Sequence, residues 1–414
     1  MLRLARTISP TRFCPLAAWC LVAPLSACGA QGSVNEQGEA GSIDSSTGPA
    51  GPTTGDSEST TSSPQPTTSA SGSTESSGAP ETSTGVIDGE PFELVVLDRV
   101  WLSSFEASQF ADAEIDLGAG PFTSIRMFVE LESPCFPFDG WAQMPPPEGH
   151  NWPLLCDAFD RIVNVVADPE LEREPAGVEL MRGITPFGGP QIYENDLSDW
   201  ATMHPGTHTL RGFISTWTDG AGQVSGAQGG WFMTLRIEVD PGPPMREVLA
   251  AIPLFHGDVT AANAEQTIAV ELPEGTTSAR IDYVVSGHGQ GAVGVDCIGP
   301  ADEFCHRIHT LHFDDTTLGS FDPWRDDCVT LCTLTEQQWP DGTSFDYCLE
   351  NPCGSIGSVQ APRANWCPSA PIDPIAIELA ELATPGPHEF SFAIAGIADG
   401  GVWPTSAILY AYGD

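Results

Sequence analysis

Short apolar or alternating runs recur along the chain from about residue 91 onward. FELVVLDRVWL, SIRMFVELE, RIVNVVAD, HTLRGFIST and WFMTLRIEV come first; TIAVEL, ARIDYVVS, HRIHTLHF, PIAIELA, HEFSFAIAG and SAILYAYG follow. A period of two sends alternate side chains to opposite faces of a strand, so each run predicts a strand with one inward face. Turns rich in Gly, Pro and Asp separate the runs, and no long stretch has apolar residues at helical spacing. The pattern predicts an all-β fold of antiparallel sandwiches. A Pro-rich joint, VDPGPPMR (Val239 to Arg246), divides the runs into two similar sets. We expect two sandwich domains, residues 89–242 and 243–414, because about 320 residues are ample for two cores.

The first 88 residues follow another pattern. Arg3, Arg6 and Arg12 precede a short apolar segment, FCPLAAWCLVAPL. It is well below the roughly 18 apolar residues that a membrane span needs. The segment ends LSAC at Cys28. Small residues before a cysteine resemble a bacterial lipobox, which implies a leader of residues 1–27 and a lipid on the Cys28 sulfur. An ordinary signal peptide is the alternative, and both imply export. Residues 28–88 are mostly Ser, Thr, Gly and Pro. They bury too little surface to offset the entropy of ordering, so a disordered tether is expected. The expected location is the outer membrane or the cell surface, held by a lipid anchor.

Charge and cysteine content narrow the function. The net charge is −41, and all 15 basic side chains are arginine. So acidic a chain repels nucleic acid and anionic headgroups. Without lysine there is no P-loop, Schiff base or lysine general base. Of the 12 cysteines, Cys14, Cys20 and Cys28 lie in the leader or at its end, leaving nine between Cys135 and Cys367. In an exported chain these read as a disulfide framework with one cysteine over.

One stretch concentrates chemistry. Leu154 to Arg161 reads LLCDAFDR, two carboxylates and a guanidinium beside a cysteine, just before a β-branched run. Taken alone, Asp160-Arg161 is either an ion pair closing a strand end or half of an acid/base centre.

Further motifs carry a resemblance. They are SIRMFVELESPC (to Cys135), CDAFDRIVNV, RGITPFGG (Arg182 to Gly189), Ser215-Thr216-Trp217, VSGHGQ (Val285 to Gln290), DEFCHRIHT (Asp302 to Thr310), Cys348-x-x-Asn351-Pro352 and APRANWCP (Ala361 to Pro368). In this order they resemble the peptide-N-glycosidase F family, bacterial amidases that remove N-glycans from asparagine, and they cover nearly all of residues 91–414. The resemblance implies two eight-stranded antiparallel jelly rolls packed side by side, acting as a monomer on N-glycosylated peptide or protein, with no cofactor. It also implies bridges Cys135–Cys156, Cys297–Cys305 and Cys348–Cys367. Cys328, Cys332 and Cys353 fall in an insertion, where two of them are free to pair.

The family faces an Asp from one domain with a Glu from the other, oriented by arginines. Here the matching residues are Asp160 as general base, Glu303 to position substrate and water, and Arg161 and Arg363 to brace the acids. Phe159, Trp217 and Phe304 stand where sugar-stacking rings are expected, with core packing as the plain alternative. Ile184 and Phe187, in the Arg182 turn, join them as substrate contacts. The chain departs from the family at Ser215, where a third carboxylate is usual, and at His288 and Gln290. Asp219, four residues along the same expected strand, lies about 13 Å from Ser215 and is a poor substitute. Two other readings remain open: a non-catalytic glycan- or protein-binding lipoprotein, and a copper-dependent oxidoreductase using His306, His309 and His312. Residues three apart on a strand point to opposite faces, which works against a shared ion.

Overall fold

The computed structural model describes residues 89–169, 177–289, 296–339 and 342–414. The leader, Cys28, the tether and Gln290 lie outside the described residues.

The chain is built almost wholly of antiparallel strands. Its first half supplies β1 (Phe92–Leu102), β2 (Phe110–Asp116), β3 (Phe122–Glu132), β4 (Ile162–Ala167), β5 (Val178–Ile184), β6 (Gln191–Asp196), β7 (Thr207–Ile214) and β8 (Trp231–Pro241), with a short helix α1 (Ser198–Met203) after β6. Its second half supplies β9 (Val248–Val259), β10 (Glu265–Leu272), β11 (Ser278–Val285), β12 (His288–Gly289), β13 (His309–Phe313), β14 (Thr316–Phe321), β15 (Leu334–Gln338), β16 (Ser344–Cys348), β17 (Ala370–Pro371), β18 (Ile375–Glu378), β19 (Gly386–Ile394) and β20 (Gly401–Tyr412). One sheet runs β1-β8-β3-β6 and the sheet facing it β17-β5-β4-β7-β2. In the second half, β12-β20-β11-β18, with β9 on β20, faces β10-β19-β13-β14. β15 and β16 form a separate hairpin.

The period-two pattern builds the cores. On β8, alternate residues Trp231, Met233, Leu235, Ile237 and Val239 are buried, meeting Ile125, Met127, Val129 and Leu131 of β3 and Val163 and Val165 of β4. In the second sandwich Ala279, Ile281, Tyr283 and Val285 of β11 pack with Phe390, Phe392, Leu311 and Phe313. Each buried aliphatic or aromatic side chain contributes about 1.5–3 kcal/mol.

Three features join the sandwiches. Ile408, Tyr410 and Tyr412 of β20 belong to the first core cluster. Ala370 of β17 pairs with Ile184, so a second-half segment adds an edge to the first half's sheet. Arg182 and Glu179 of β5 form a buried ion pair at 2.5 Å; Arg182 also donates to the Pro404 carbonyl, and Ser406 donates to Glu179 at 2.6 Å. Buried charge is costly unless paired, and here each partner is satisfied across the seam.

The disulfides correct one expectation. Cys135–Cys156 and Cys297–Cys305 are present, but Cys367 bonds to Cys328, and Cys348 bonds to Cys332. Hairpin register explains the second: Leu334 opposes Cys348, which brings Cys332, two residues upstream, to a Cα separation of 4.5 Å. Reciprocal backbone bonds between Arg325 and Arg363 bring Cys328 alongside Cys367.

Candidate active site

Asp160 sits on the turn entering β4, fastened on both sides. Arg161 N–H donates to Thr185 Oγ1 (2.9 Å), Thr185 N–H donates to the Arg161 carbonyl (2.8 Å), and Ile162 N–H donates to Ser215 Oγ (3.1 Å). Below the turn lies a clamp. The Arg161 guanidinium donates to both oxygens of the buried Asp157 at 2.8 Å, and to the Trp217 carbonyl at 2.9 Å. The role expected of Arg161 is thereby corrected: it grips Asp157, four residues back, and acts on Asp160 only through space. The reason is reach, because the i, i+4 carboxylate lies on the inner side of the turn while Asp160 faces outward to the seam.

Glu303 comes from the second sandwich, on a 3-10 turn (Asp302–Phe304). Its neighbour Asp302 is fully buried and accepts from Arg307 (3.1 and 2.5 Å), Trp403 Nε1 (2.7 Å) and Ala398 N–H (3.2 Å). The Glu303 carbonyl accepts from Ala364 N–H at 2.9 Å, tying the turn to the segment that carries Arg363. Arg363 then lies between the two acids. Its Nη2 is 4.0 Å from Asp160 Oδ2, and its Nε is 4.0 Å from Glu303 Oε1. With the width of the guanidinium added, the two carboxylate oxygens lie within roughly 10 Å of each other.

Arg363 is 1% exposed. Ser358 and Ala361 carbonyls accept from its Nη1 (2.7 and 3.0 Å), and Ser358 Oγ from Nη2 (3.1 Å). Its guanidinium carbon lies 4.5 Å from the Trp366 ring centroid and 5.2 Å from that of Phe304. Its Nε has no hydrogen-bond partner among the described residues. Burial pushes the Asp160 carboxyl above its ordinary value, and the Arg363 and Arg161 cations oppose that shift. A carboxyl moved up from the usual range suits a general base.

The remaining expected residues divide. Trp217 is 52% exposed beside the turn, and Phe304 lies under Arg363. Phe159 is half-buried near Phe187 and Val359, with Arg161 over its ring at 5.3 Å. Ile184 and Phe187, expected as substrate contacts, are core residues: Ile184 packs with Trp366 and Ile372, and Phe187 with Cys348 and Val359. β7 ends at Ile214, so Ser215 and Asp219 do not share a strand face. Asp219 instead accepts four backbone N–H groups, from Ala221 to Val224; these outweigh its burial and lower its pKa. His288 stacks on Trp366, and burial and nearby arginines push its pKa down to about 3.

The three histidines point apart. His309 is buried against Tyr283 and Phe321, His312 lies on the opposite face of β13 beside Thr317, and His306, before the strand, stacks on Trp324. Asp157 and Asp302, the buried anchors of the two acid-bearing turns, carry no mark in the sequence that sets them apart as anchors. Each stands next to or near a candidate acid, and only burial tells them apart.

Residues 257–410 match the family model of the C-terminal domain of peptide-N-glycosidase F. The structure of PNGase F, a glycosylasparaginase from Flavobacterium meningosepticum, shares the fold: TM-score 0.54 at 17% identity, covering 78% of this chain and 96% of that one. The chain has a PNGase F-like fold. Recombinant PNGase F gives a TM-score of 0.56 at 18% identity over the same shares. PNGF-II gives 0.56 at 16% identity, over 78% of this chain and 66% of that one, so the chain spans just under two thirds of the length of PNGF-II. No curated protein sequence matches the chain. The PNGase F-like fold comprises both sandwiches, and the family-model match covers most of the second, which carries Glu303 and Arg363.

Proposed function

We propose that the chain hydrolyses the amide joining an N-linked glycan to asparagine. The observation that carries this is buried Arg363 set between acids from the two sandwiches, its Nη2 4.0 Å from Asp160 and its Nε 4.0 Å from Glu303. In the reaction Asp160 takes a proton from water, and the water oxygen attacks the side-chain carbonyl. Asp160 passes that proton to the amide nitrogen as the C–N bond breaks, the nitrogen leaves on the sugar as a glycosylamine, and the peptide keeps an aspartate. Glu303 holds water and amide from the opposite side, and Arg363 fixes both acids and offers its N–H to developing negative charge. Trp217 and Phe304 give the sugar apolar faces.

A denatured glycopeptide is the test. Release of glycan with aspartate left in the peptide supports the proposal; intact glycopeptide after prolonged incubation sinks it. One observation favours a binding-only scaffold as the second reading: Ser215 occupies the place of the family's third carboxylate, and its hydroxyl is already held by Ile162 N–H. That reading predicts glycopeptide retention without release.

We further propose export with a lipid on Cys28, on the strength of the LSAC spacing. No helix among the described residues is long and apolar enough to cross a membrane. Metabolic labelling with a fatty acid should mark the wild type and not Cys28→Ser; equal labelling of both would exclude the anchor.

A further inference from the structure

We infer that the groove at the far end of the seam between the sandwiches is a second binding site, for a neutral oligosaccharide. A cleft of about 460 Å³ opens between β3, α1, the segment around Arg246, and the ends of β11 and β20. A smaller recess continues it along β5 and shares Asp196, Trp200, Asp282 and Tyr410 with it. The volume lies within the roughly 300–1,000 Å³ of ordinary small-ligand sites.

The lining chooses the ligand. Charges in the cleft are largely spent on one another. Asp199 accepts from Arg246 and from the Tyr412 hydroxyl (2.9 Å) and lies 3.6 Å from Arg280, which pairs with Asp282 at 2.7 Å. A small ion of either sign would have to displace one of these pairs. The walls carry the Ser124 hydroxyl and those of Ser198, which donates to Asp196, and Thr202, which donates to the Ser198 carbonyl; these last two keep a lone pair to accept from a ligand. Trp200 borders both recesses; its buried indole N–H has no partner among the described residues. Such an orphan costs about 1–3 kcal/mol, which an acceptor oxygen would relieve. Fixed carboxylates and guanidinium groups, hydroxyls and an unpartnered buried N–H at the wall together suit a ligand that is uncharged, rich in hydroxyls, and both donor and acceptor. A sugar chain meets that description, and an uncharged peptide of the same size brings far fewer hydroxyls.

The groove is remote from Arg363. Trp403 bonds to Asp302, next to Glu303, and Tyr410 lies seven residues further along β20. At ~3.3 Å per residue that is about 23 Å. The inference does not depend on the amidase reading.

The test uses the full chain carrying Asp160→Asn, a mannose-type oligosaccharide already freed from peptide, and an uncharged peptide as control. Indole N–H resonances are followed by NMR, with Trp200 assigned through Trp200→Phe. The expected result is a saturable shift at Trp200 with sugar and none with the control. Thr202→Trp and, from another wall, Ser124→Tyr should each weaken binding at least about tenfold. In the chain with Asp160 restored, both variants should leave unfolding temperature and turnover of a short glycopeptide unchanged. An unmoved Trp200 resonance, equal binding by both blocking variants, or equal binding of the peptide overturns the inference. Saturable binding in a chain that hydrolyses nothing would sink the amidase proposal and leave this one standing.

Discussion

Replacing Asp157 with Asn probes the clamp beneath the candidate base. Asp157 has no exposed side-chain surface and Arg161 has 13%. The substitution removes the negative charge and one of the two oxygens that accept from Arg161, and turns an amide NH₂ towards guanidinium N–H groups. Removing one partner of a buried ion pair costs about 3–5 kcal/mol. Arg161 keeps its bond to the Trp217 carbonyl and some access to water, so the lower end, about 3 kcal/mol, is expected. At about 2–4 °C per kcal/mol, unfolding followed by circular dichroism should fall by about 6–12 °C. Asp157→Leu with Arg161→Met removes both charges and should recover most of that loss, because a well-packed apolar pair avoids desolvation altogether. A drop under about 2 °C for Asp157→Asn, or a double variant no better than the single, would refute this account of the turn.

Two further outcomes concern pH. His309 is buried, and burial lowers its pKa to about 3 from an ordinary 6.5. Above pH 6.5 it is neutral folded and unfolded; below that, only the unfolded chain takes the proton. It should therefore remove about 1.4 kcal/mol of stability per unit as pH falls from 6.5 towards 3. Thermal unfolding across that range should show a shallower loss for His309→Gln, and an unchanged slope would contradict the burial argument. At the candidate site, Arg363 restrains the upward shift of Asp160. The acid limb of the pH–rate profile should move to higher pH in Arg363→Gln and stay near the wild-type position in Arg363→Lys; no movement in Arg363→Gln would mean that Asp160 does not set that limb.

How much of this was legible beforehand depended on whether chemistry and burial agreed. β8 and β11 announce themselves because every second residue is apolar and buried. β5 does not: all seven of its residues are buried, including Glu179 and Arg182, whose partners come from β20, more than 200 residues away. In LLCDAFDR the two aspartates look alike, and only the turn assigns Arg161 to Asp157 and leaves Asp160 for the seam. Ile184 and Phe187 flank the right turn but point inward. The pairing of Cys348 depends on the β15–β16 hairpin, which alternates too weakly to be read from its residues. The groove around Trp200 is assembled from five separate stretches, so no motif marks it.

In the proposed reaction two acids from different sandwiches act together through Arg363. The most direct measurement is glycan release from a denatured glycopeptide by wild type, Asp160→Asn and Glu303→Gln, with unfolding temperatures taken on the same samples. Wild type should release glycan with aspartate formation, and either variant should lose at least about 100-fold without loss of fold. Wild-type rates in both variants, or release that leaves asparagine in the peptide, would contradict it.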